Sequence, residues 1–465
     1  MKKELSDFQN QRMELFKKLV KEIWAGELTQ EELREILAWL QEEYDYQAED
    51  LSFLKDQLRV SMGLEPNQKG ELSTELAELQ ELSRIEKPII NKVEGVCQPC
   101  IEESEAECDQ ACKYETLQYR RNQGAVIVND KCLNCGKCIS SCPFGALADK
   151  IEFIPLVELL KESSTEVYAA VAPSIAGQLG NEVSLGQLRT ALKLLGFEDL
   201  VEVALFADLL TIKEAFEFDQ LVAEEGDFFL TSCCCPVWIR LVKSKFPKLF
   251  ARMSPSVSPM IAAGRVLKEL YPEAKVVFIG PCIAKKAEAK ADDLAGAIDF
   301  VLTFRELAEV LTAVQIKPER LPAAEKDQAS FAGRVYARSG GVSFAVKTIV
   351  NRIAPQRLIK FKAQKVAGTK ECQQLLESLV TEQNLEANFI EGMGCVGGCV
   401  GGPRTNLEVE AATKSVNQLG EDSLIMTPFD NLNVVKILEQ LGIKEVVEVV
   451  EADLLSREEI KKTTN

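Results

Sequence analysis

Fifteen cysteines and no histidine set the chemistry open to this chain of 465 residues. Without imidazole there is no His-ligated zinc or haem and no His general base, which leaves thiolates, carboxylates and lysines. Eight cysteines fall between residues 95 and 150. Cys132, Cys135, Cys138 and Cys142 are spaced C-x2-C-x2-C-x3-C and followed by Pro143. Close thiolates on a tight turn can cap three corners of an iron–sulfur cubane, while a fourth held away by its proline serves a second cluster where there are two. The competing reading is a zinc knuckle or unmetallated thiols. Upstream, Cys97, Cys100, Cys108 and Cys112 are spaced C-x2-C-x7-C-x3-C, with Lys113 in place of a following proline. Four thiolates so arranged could also hold zinc. The other cysteines are Cys233, Cys234 and Cys235 in TSCCCPVW, Cys282 in GPCIAKKAE, Cys395 and Cys399 in EGMGCVGGCVGG, and Cys372 alone in KECQQLL. Cys372 reads as a structural thiol.

The elements that must position these thiols follow from the pattern of the chain. Residues 1–92 carry no cysteine and read as helices, with Phe16, Leu19, Val20, Ile23 and Trp24, then Leu33, Ile36, Leu37 and Leu40, at helical spacing. A further helix is expected in ELSTELAELQELSRI with a cap at Ser73. This region reads as a packing or docking element, the alternative being a specific partner-binding module. Residues 93–150 hold the eight clustered cysteines. From about residue 165, short apolar runs (VYAAVAPS, LVEVALFA, AKVVFIGP, IDFVLTF, ANFIEGM) alternate with helical patterns. Such alternation implies parallel sheets with ligands at the carboxyl ends of the strands, and TSCCCP, GPC and GMGC follow three of these runs. Residues 151–440 are expected to form this α/β domain, and residues 441–465 a helix fraying into a tail.

Composition narrows the partners. With 54 basic against 72 acidic residues the formal charge is −18, which argues against nucleic acid and against an anionic membrane surface. No apolar stretch reaches the ~20 residues needed to cross a bilayer. The N-terminus lacks the apolar segment of a secretory signal. A cytoplasmic location is therefore expected, where thiols stay reduced and metal ligation outranks disulfides.

The two cysteine sets at 97–142 resemble two-cluster ferredoxins with an insertion between the second and third ligands. That resemblance implies crossed ligation by two 4Fe-4S clusters: Cys97, Cys100, Cys108 and Cys142 on one cubane, and Cys132, Cys135, Cys138 and Cys112 on the other. The three later motifs resemble the signature motifs of the FeFe-hydrogenases, iron-only enzymes that interconvert protons and dihydrogen. VAPSIAG, LGFEDLVEVALFADL, SPM at 258–260 and RSGGV at 338–342 are similar to that family's catalytic domain as well. The resemblance covers roughly residues 95–410. It implies an α/β catalytic domain of two lobes with parallel sheets flanking the active-site cluster, an α+β two-cluster ferredoxin-like domain and an α-helical N-terminal region.

By motif position the resemblance assigns Cys235, Cys282, Cys395 and Cys399 to a cubane, with Cys399 bridging to a diiron unit that bears CO, cyanide and a dithiolate (together the H-cluster). Soft thiolates suit such a cluster, and the glycines of CVGGCVGG would let backbone approach it closely, although out of context they read as an ordinary turn. Cys234 matches the family's proton-shuttling thiol, whose ordinary pKa of ~8.5 suits proton exchange near neutrality. Lys285 matches the lysine that hydrogen-bonds a cyanide. Met393, Pro259, Ser258 and Pro173 stand where residues pack around the cofactor, with plain core packing the alternative for Met393. Glu214 and Glu217, at i, i+3 on one helix face, match the relay glutamates, and Ser254 the intermediate hydroxyl. Outside the family context the two glutamates read as solvated. The implied partners are a ferredoxin or similar small electron carrier, and maturation proteins that install the diiron unit.

Four features depart from the usual motifs, one of them the shortened glycine run GGPR of the third. Cys233 is an additional thiol, read either as inert packing or as a change in the loop that lets a neighbouring thiolate ligate the open iron under air. Gly280 replaces a methionine, and Leu221 stands where the relay's outer arginine is usual. A slow hydrogen sensor and a non-catalytic iron–sulfur assembly protein are the alternative functions. Retention of Cys234 and Lys285 favours the enzyme.

Overall fold

The computed structural model describes residues 7–26, 28–47, 50–80, 85–94, 97, 106–112, 114, 116–120, 124–162, 164–180, 182–231, 234–381, 386–458 and 460. The N-terminal region forms helices α1 (Asp7–Ala25), α2 (Gln30–Glu43), α3 (Leu51–Met62) and α4 (Leu72–Gln80). Helix α1 buries the stripe Phe16, Leu19, Val20 and Ile23. Helix α2 starts at Thr29, whose hydroxyl accepts from the Glu32 amide while the Glu32 carboxylate accepts from the Thr29 amide, a reciprocal cap. Helix α4 begins at Leu72, so Ser73 lies inside its first turn and is not the cap the pattern suggested. Helix α1 packs along the helix Phe304–Ala313, and Phe16 meets Phe153 edge-on at 6.2 Å. One continuous core therefore runs from α1 into the sheet of the C-terminal two thirds.

The cysteine-rich segment is built from two antiparallel strand pairs. Strand β1 (Ile90–Lys92) pairs with β4 (Leu147–Asp149), and β2 (Leu117–Arg120) with β3 (Gly124–Ile127). The one-turn helices Glu107–Ala111 and Lys137–Ser140 pack on each other between them.

Two parallel sheets follow. The first has the order β6 (Asp199–Glu202), β5 (Val167–Val171), β8 (Lys275–Gly280), β9 (Phe300–Thr303), and the second β10 (Ala363–Ala367), β11 (Phe389–Met393), β7 (Phe229–Leu230). Strands β5, β9 and β11 are buried along their whole length, as covered parallel strands must be. The helix Val203–Leu221 is apolar nearly all round and buried at most positions, packing against Gly341–Ile353 and Pro259–Leu270. Beyond residue 440 the described residues do not fray. After the helix Val446–Glu451 the chain returns to the core, where Ser456 bridges Ser256, the Val257 amide donates to the Leu455 carbonyl, and Ile460 is buried. Among the described residues no helix is long and apolar enough to cross a membrane.

Gly392 in β11 sits directly under the Trp238 indole, with ring atoms 2.2 Å from where a Cβ would stand. A rigid ring pinned by its Nε1 donation to the Thr231 carbonyl at 3.0 Å cannot yield cheaply. Gly392→Ala should therefore destabilise the fold by about 1–3 kcal/mol. Denaturant unfolding followed by Trp238 fluorescence checks this, and an unchanged midpoint would show that the indole can move aside.

Candidate metal centre

Each of the three hydrogenase-like motifs leaves the carboxyl end of a parallel strand. Cys235 follows β7 and caps the helix Pro236–Lys245, whose Pro236 occupies the first helical position. Cys282 follows β8 and caps the helix Ile283–Ala289. Cys395 and Cys399 follow β11. Two helix amino ends thus face the thiols and favour negative charge there. The Gly394 amide donates to Cys235 Sγ at 3.2 Å. Gly397 and Gly398 have φ of +81° and +94°. A Cβ on Gly398 would meet the Ser339 nitrogen at 2.8 Å, and one on Gly401 the Val396 carbonyl oxygen at 1.9 Å. These glycines are required because the loop folds tightly on protein backbone, as the turn reading expects.

The four thiols meet electrostatically although they come from two sheets. Burial, with the neighbouring Cys235 and Cys399, pushes Cys282 up to about 12 against a small opposing pull from Lys285. Cys399 is pushed up to about 12 by burial and by Cys235. Cys395 is raised as well, through burial and through Cys282, Cys235 and Cys399. Burial thus disfavours the thiolate form of Cys282, Cys395 and Cys399, a bound cation would favour it, and the all-sulfur donor set fits iron–sulfur ligation.

Lys285 is buried beside them, and its ammonium donates to Glu288 Oε2 at 2.6 Å. Ser258, the cap of the helix Pro259–Leu270, donates to the same oxygen at 3.1 Å, and Arg457 reaches the other. Burial alone would raise the Glu288 carboxyl, but Lys285 and Arg457 hold it below its usual range. Neither Glu288 nor Arg457 was singled out from the sequence. Glu288 stands three residues after Lys285, a spacing that could have signalled it, whereas Arg457 reaches the site only through the return of the chain end. Pro259 and Met393 are buried, and Met393 Sδ lies 2.7 Å from where a Gly398 Cβ would stand. Pro173 opens a 3₁₀ turn just after β5 and is partly exposed. The space that a side chain on Gly280 would enter is taken by the Phe278 ring, 2.4 Å from the Cβ position.

In the ferredoxin-like segment, Cys138 feels the charge of Cys135, Cys132, Cys112 and Cys108, and Cys132 that of Cys135 and Cys112. Cys112 therefore lies with the triplet 132/135/138 despite its distance in sequence. Cys97, Cys108 and Cys142 lie in one apolar cluster around the strand pairs, against which Cys112, Cys132 and Cys138 pack as well, and Cys100 is outside the described residues. Among the described residues, which do not include Cys100, no group of three Cys, His, Asp or Glu side chains is gathered around a single metal position. Cys395 also feels Cys135, and a Cβ on Gly136 would lie 2.5 Å from Ile283, the residue after Cys282. The triplet thus abuts the four-thiol centre.

The profile described as "Iron only hydrogenase large subunit, C-terminal domain" matches residues 165–403, and a "4Fe-4S binding domain" matches residues 125–148. The first match covers more than half of the chain. The chain belongs to the iron-only hydrogenase large-subunit family. It is 26% identical to Iron hydrogenase 1 of Clostridium pasteurianum over 373 residues, which is 61% of this chain and 65% of that protein. The chain thus spans a little under two thirds of that relative. It is also 23% identical to a "Probable cytosolic Fe-S cluster assembly factor" of Drosophila mojavensis over 369 residues, 64% of this chain and 77% of that protein. A variant of [FeFe]-hydrogenase HydA1 from Chlamydomonas reinhardtii shares the fold with a TM-score of 0.52 at 19% identity, over 64% of this chain and 96% of that one. At such identities this is a divergent member of the family.

Within this hydrogenase-family fold the helix Val203–Leu221 carries both glutamates inside the protein, so the solvated reading fails. Glu217 accepts from Ser254 at 2.7 Å and from the Lys213 ammonium at 2.6 Å. Glu214 accepts from the Thr231 hydroxyl at 2.7 and 2.9 Å. Thr231, at the head of the first motif, and Lys213 were not anticipated. The Ser254 amide donates to the Leu230 carbonyl, which sets Ser254 beside Thr231. Cys234 is buried, while Ser232 and Cys233 lie outside the described residues, as does any reading of Cys233's role. Leu221 is exposed at the helix end. Removing the ammonium in Lys213→Met would strand Glu217 as an uncompensated buried charge, and should cost about 3–5 kcal/mol in denaturant unfolding. The double variant Lys213→Met/Glu217→Gln should recover most of that loss, and no recovery would show that Lys213 acts through packing alone.

Proposed function

We propose that the chain is a ferredoxin-type iron-only hydrogenase that reversibly reduces protons to dihydrogen. The reading is carried by one juxtaposition: Cys235, Cys282, Cys395 and Cys399 converge beside buried Lys285, with Cys234 immediately before the first ligand. These four thiolates would hold the cubane, with Cys399 as the bridge to the diiron unit, and the bound cofactor would supply the metal chemistry of hydrogen. Lys285 places a cation in a dry pocket, where it can stabilise an anionic group, while Glu288 and Ser258 fix its direction. Met393, Pro259 and Pro173 would exclude water around that group.

Protons would be handed along by Glu217, Ser254, Glu214 and Cys234, with Thr231 orienting the Glu214 carboxylate. Electrons would come from a ferredoxin or similar small carrier in the cytoplasm through two 4Fe-4S clusters. The cluster of Cys132, Cys135, Cys138 and Cys112 would be nearer the active site, and that of Cys97, Cys100, Cys108 and Cys142 farther from it. Maturation proteins would install the diiron unit.

Infrared spectroscopy of anaerobically matured protein should show carbonyl and cyanide bands, and reduced viologen should support hydrogen evolution. Iron–sulfur absorption without those bands would instead favour the assembly function of the Drosophila relative, and bands with negligible turnover a hydrogen sensor. Glu214→Ala should nearly abolish hydrogen evolution with iron content unchanged. Full activity in that variant would remove Glu214 from the relay.

A further inference from the structure

The helices of residues 7–80 take no part in the chemistry so far described, yet they put a charge beside a cluster ligand. Arg12 of α1 is 4% exposed. Its Nε and Nη2 donate to Gln57 Oε1 of α3 at 3.1 and 2.8 Å, Nη2 also to the Gly145 carbonyl at 3.1 Å, and Nη1 to the Leu147 carbonyl at 3.4 Å. Gln57 Nε2 donates to the same Gly145 carbonyl at 3.2 Å. The Phe8 ring fills the space beside Gly145, whose φ is +67°, and Gln9 donates to the Ile139 carbonyl at 3.3 Å. Helices α1 and α3 thus grip the segment 139–147, which carries Cys142.

The charge at this junction does not balance. Asp149 pairs with Lys286 at 3.2 Å and with Arg404, and Glu306 pairs with Lys286 at 2.7 Å. Arg305 donates to the Thr405 carbonyl at 3.2 and 3.0 Å. Among the described residues neither Arg12 nor Arg305 has a carboxylate within ion-pair distance. Lys286 also faces the buried Glu152, which pairs with Lys290, so Arg12, Arg305, Arg404, Lys286 and Lys290 stand against Asp149, Glu152 and Glu306, five cations against three anions. Burial lowers Arg12 only to about 10, so it stays charged near neutral pH, and Cys142 is among the groups whose charge it feels. An excess of buried positive charge calls for an anion. A thiolate-ligated cubane supplies one.

We propose that Arg12 is a positioning residue for the cubane held by Cys142, and that its cation raises that cluster's reduction potential by stabilising the reduced, more negative form. This rests on the reading of Cys142 as a cluster ligand. The step is a one-electron reduction from a low-potential donor, the electron remains on the cluster, and Arg12 exchanges no proton.

The test is a potentiometric EPR titration of the full chain with its cubanes rebuilt from iron and sulfide and reduced with dithionite, before any diiron unit is installed. In Arg12→Gln, one cubane signal should need about a tenfold greater driving ratio, a midpoint about 59 mV lower for a one-electron couple. Arg12→Lys should restore most of it, the other signals should stay in place, and Cys142→Ala should abolish the signal that moves. Gln57→Glu, which neutralises the guanidinium without removing it, should shift the same signal downward if Arg12→Gln does not assemble. Unchanged midpoints at full iron content would overturn the inference. So would failure of both neutralised forms to hold iron, which would make the cation a folding element only. Survival of every cubane signal in Cys142→Ala would remove the ligand assignment itself, and the inference with it.

Discussion

Cys235, Cys282, Cys395 and Cys399 leave three strand ends in two separate parallel sheets, and the fold must bring them into one dry volume where as thiolates they repel one another. Much of the local architecture follows from that constraint. Two of the cysteines cap helices, so peptide dipoles offset part of the negative charge before any metal binds. The third motif folds tightly on protein backbone at Gly398 and Gly401. Lys285 adds a full charge at the edge of the group. A bound cation at this centre would supply the remaining compensation, and its binding would then be coupled to local folding.

Burying charge elsewhere is the consequence. The helix Val203–Leu221 is the most enclosed long helix of the chain, yet it carries Asp208, Lys213, Glu214 and Glu217 inside it. Each is met by a specific donor or counter-ion. Asp208 accepts from Ser330 and Asn431, and burial still pushes its carboxyl up to about 6. Glu217 is held by Lys213, and Glu214 by Thr231. Such pairs add little net stability over an apolar core and cost several kcal/mol if half of one is removed. Net stability alone therefore does not account for four charged groups on one buried helix beside the first motif.

The sequence made the cysteine sets, the alternation of strands and helices and the strand-end placement of the motifs legible, because these depend on spacing and period. Glu214 and Glu217 could be placed on one helix face, but the helix is apolar on its other faces too, so their burial was set by packing that a two-residue spacing pattern cannot express. Ser73 was misplaced as a cap because Leu72 already lies in the helix. Glu288, Arg457, Thr231 and Lys213 were missed because each becomes functional through a contact distant in the chain or through a neighbour of ordinary type. The return of residues 452–458 to the core also escaped notice, since a charged terminal stretch carries no periodic signal, and its bridge from Ser456 to Ser256 joins positions far apart in the chain.

Glu288 is shared by Lys285 and Arg457, so neither cation takes all of its charge, and Lys285 keeps positive character toward the thiols. At the other end of the four-thiol centre, Arg404, just beyond the third motif, shares Asp149 with Lys286, and Arg12 and Arg305 add charge without a carboxylate of their own. A chain with a formal charge of −18 has thus gathered an excess of cations in its interior, next to two sets of thiols. Solvent screens surface charge but not these groups, so their effect on anionic clusters is large for their number. The net acidic charge of the chain and this local group of buried cations are thus separate features: the first follows from composition, and the second from what the fold brings together beside the thiols.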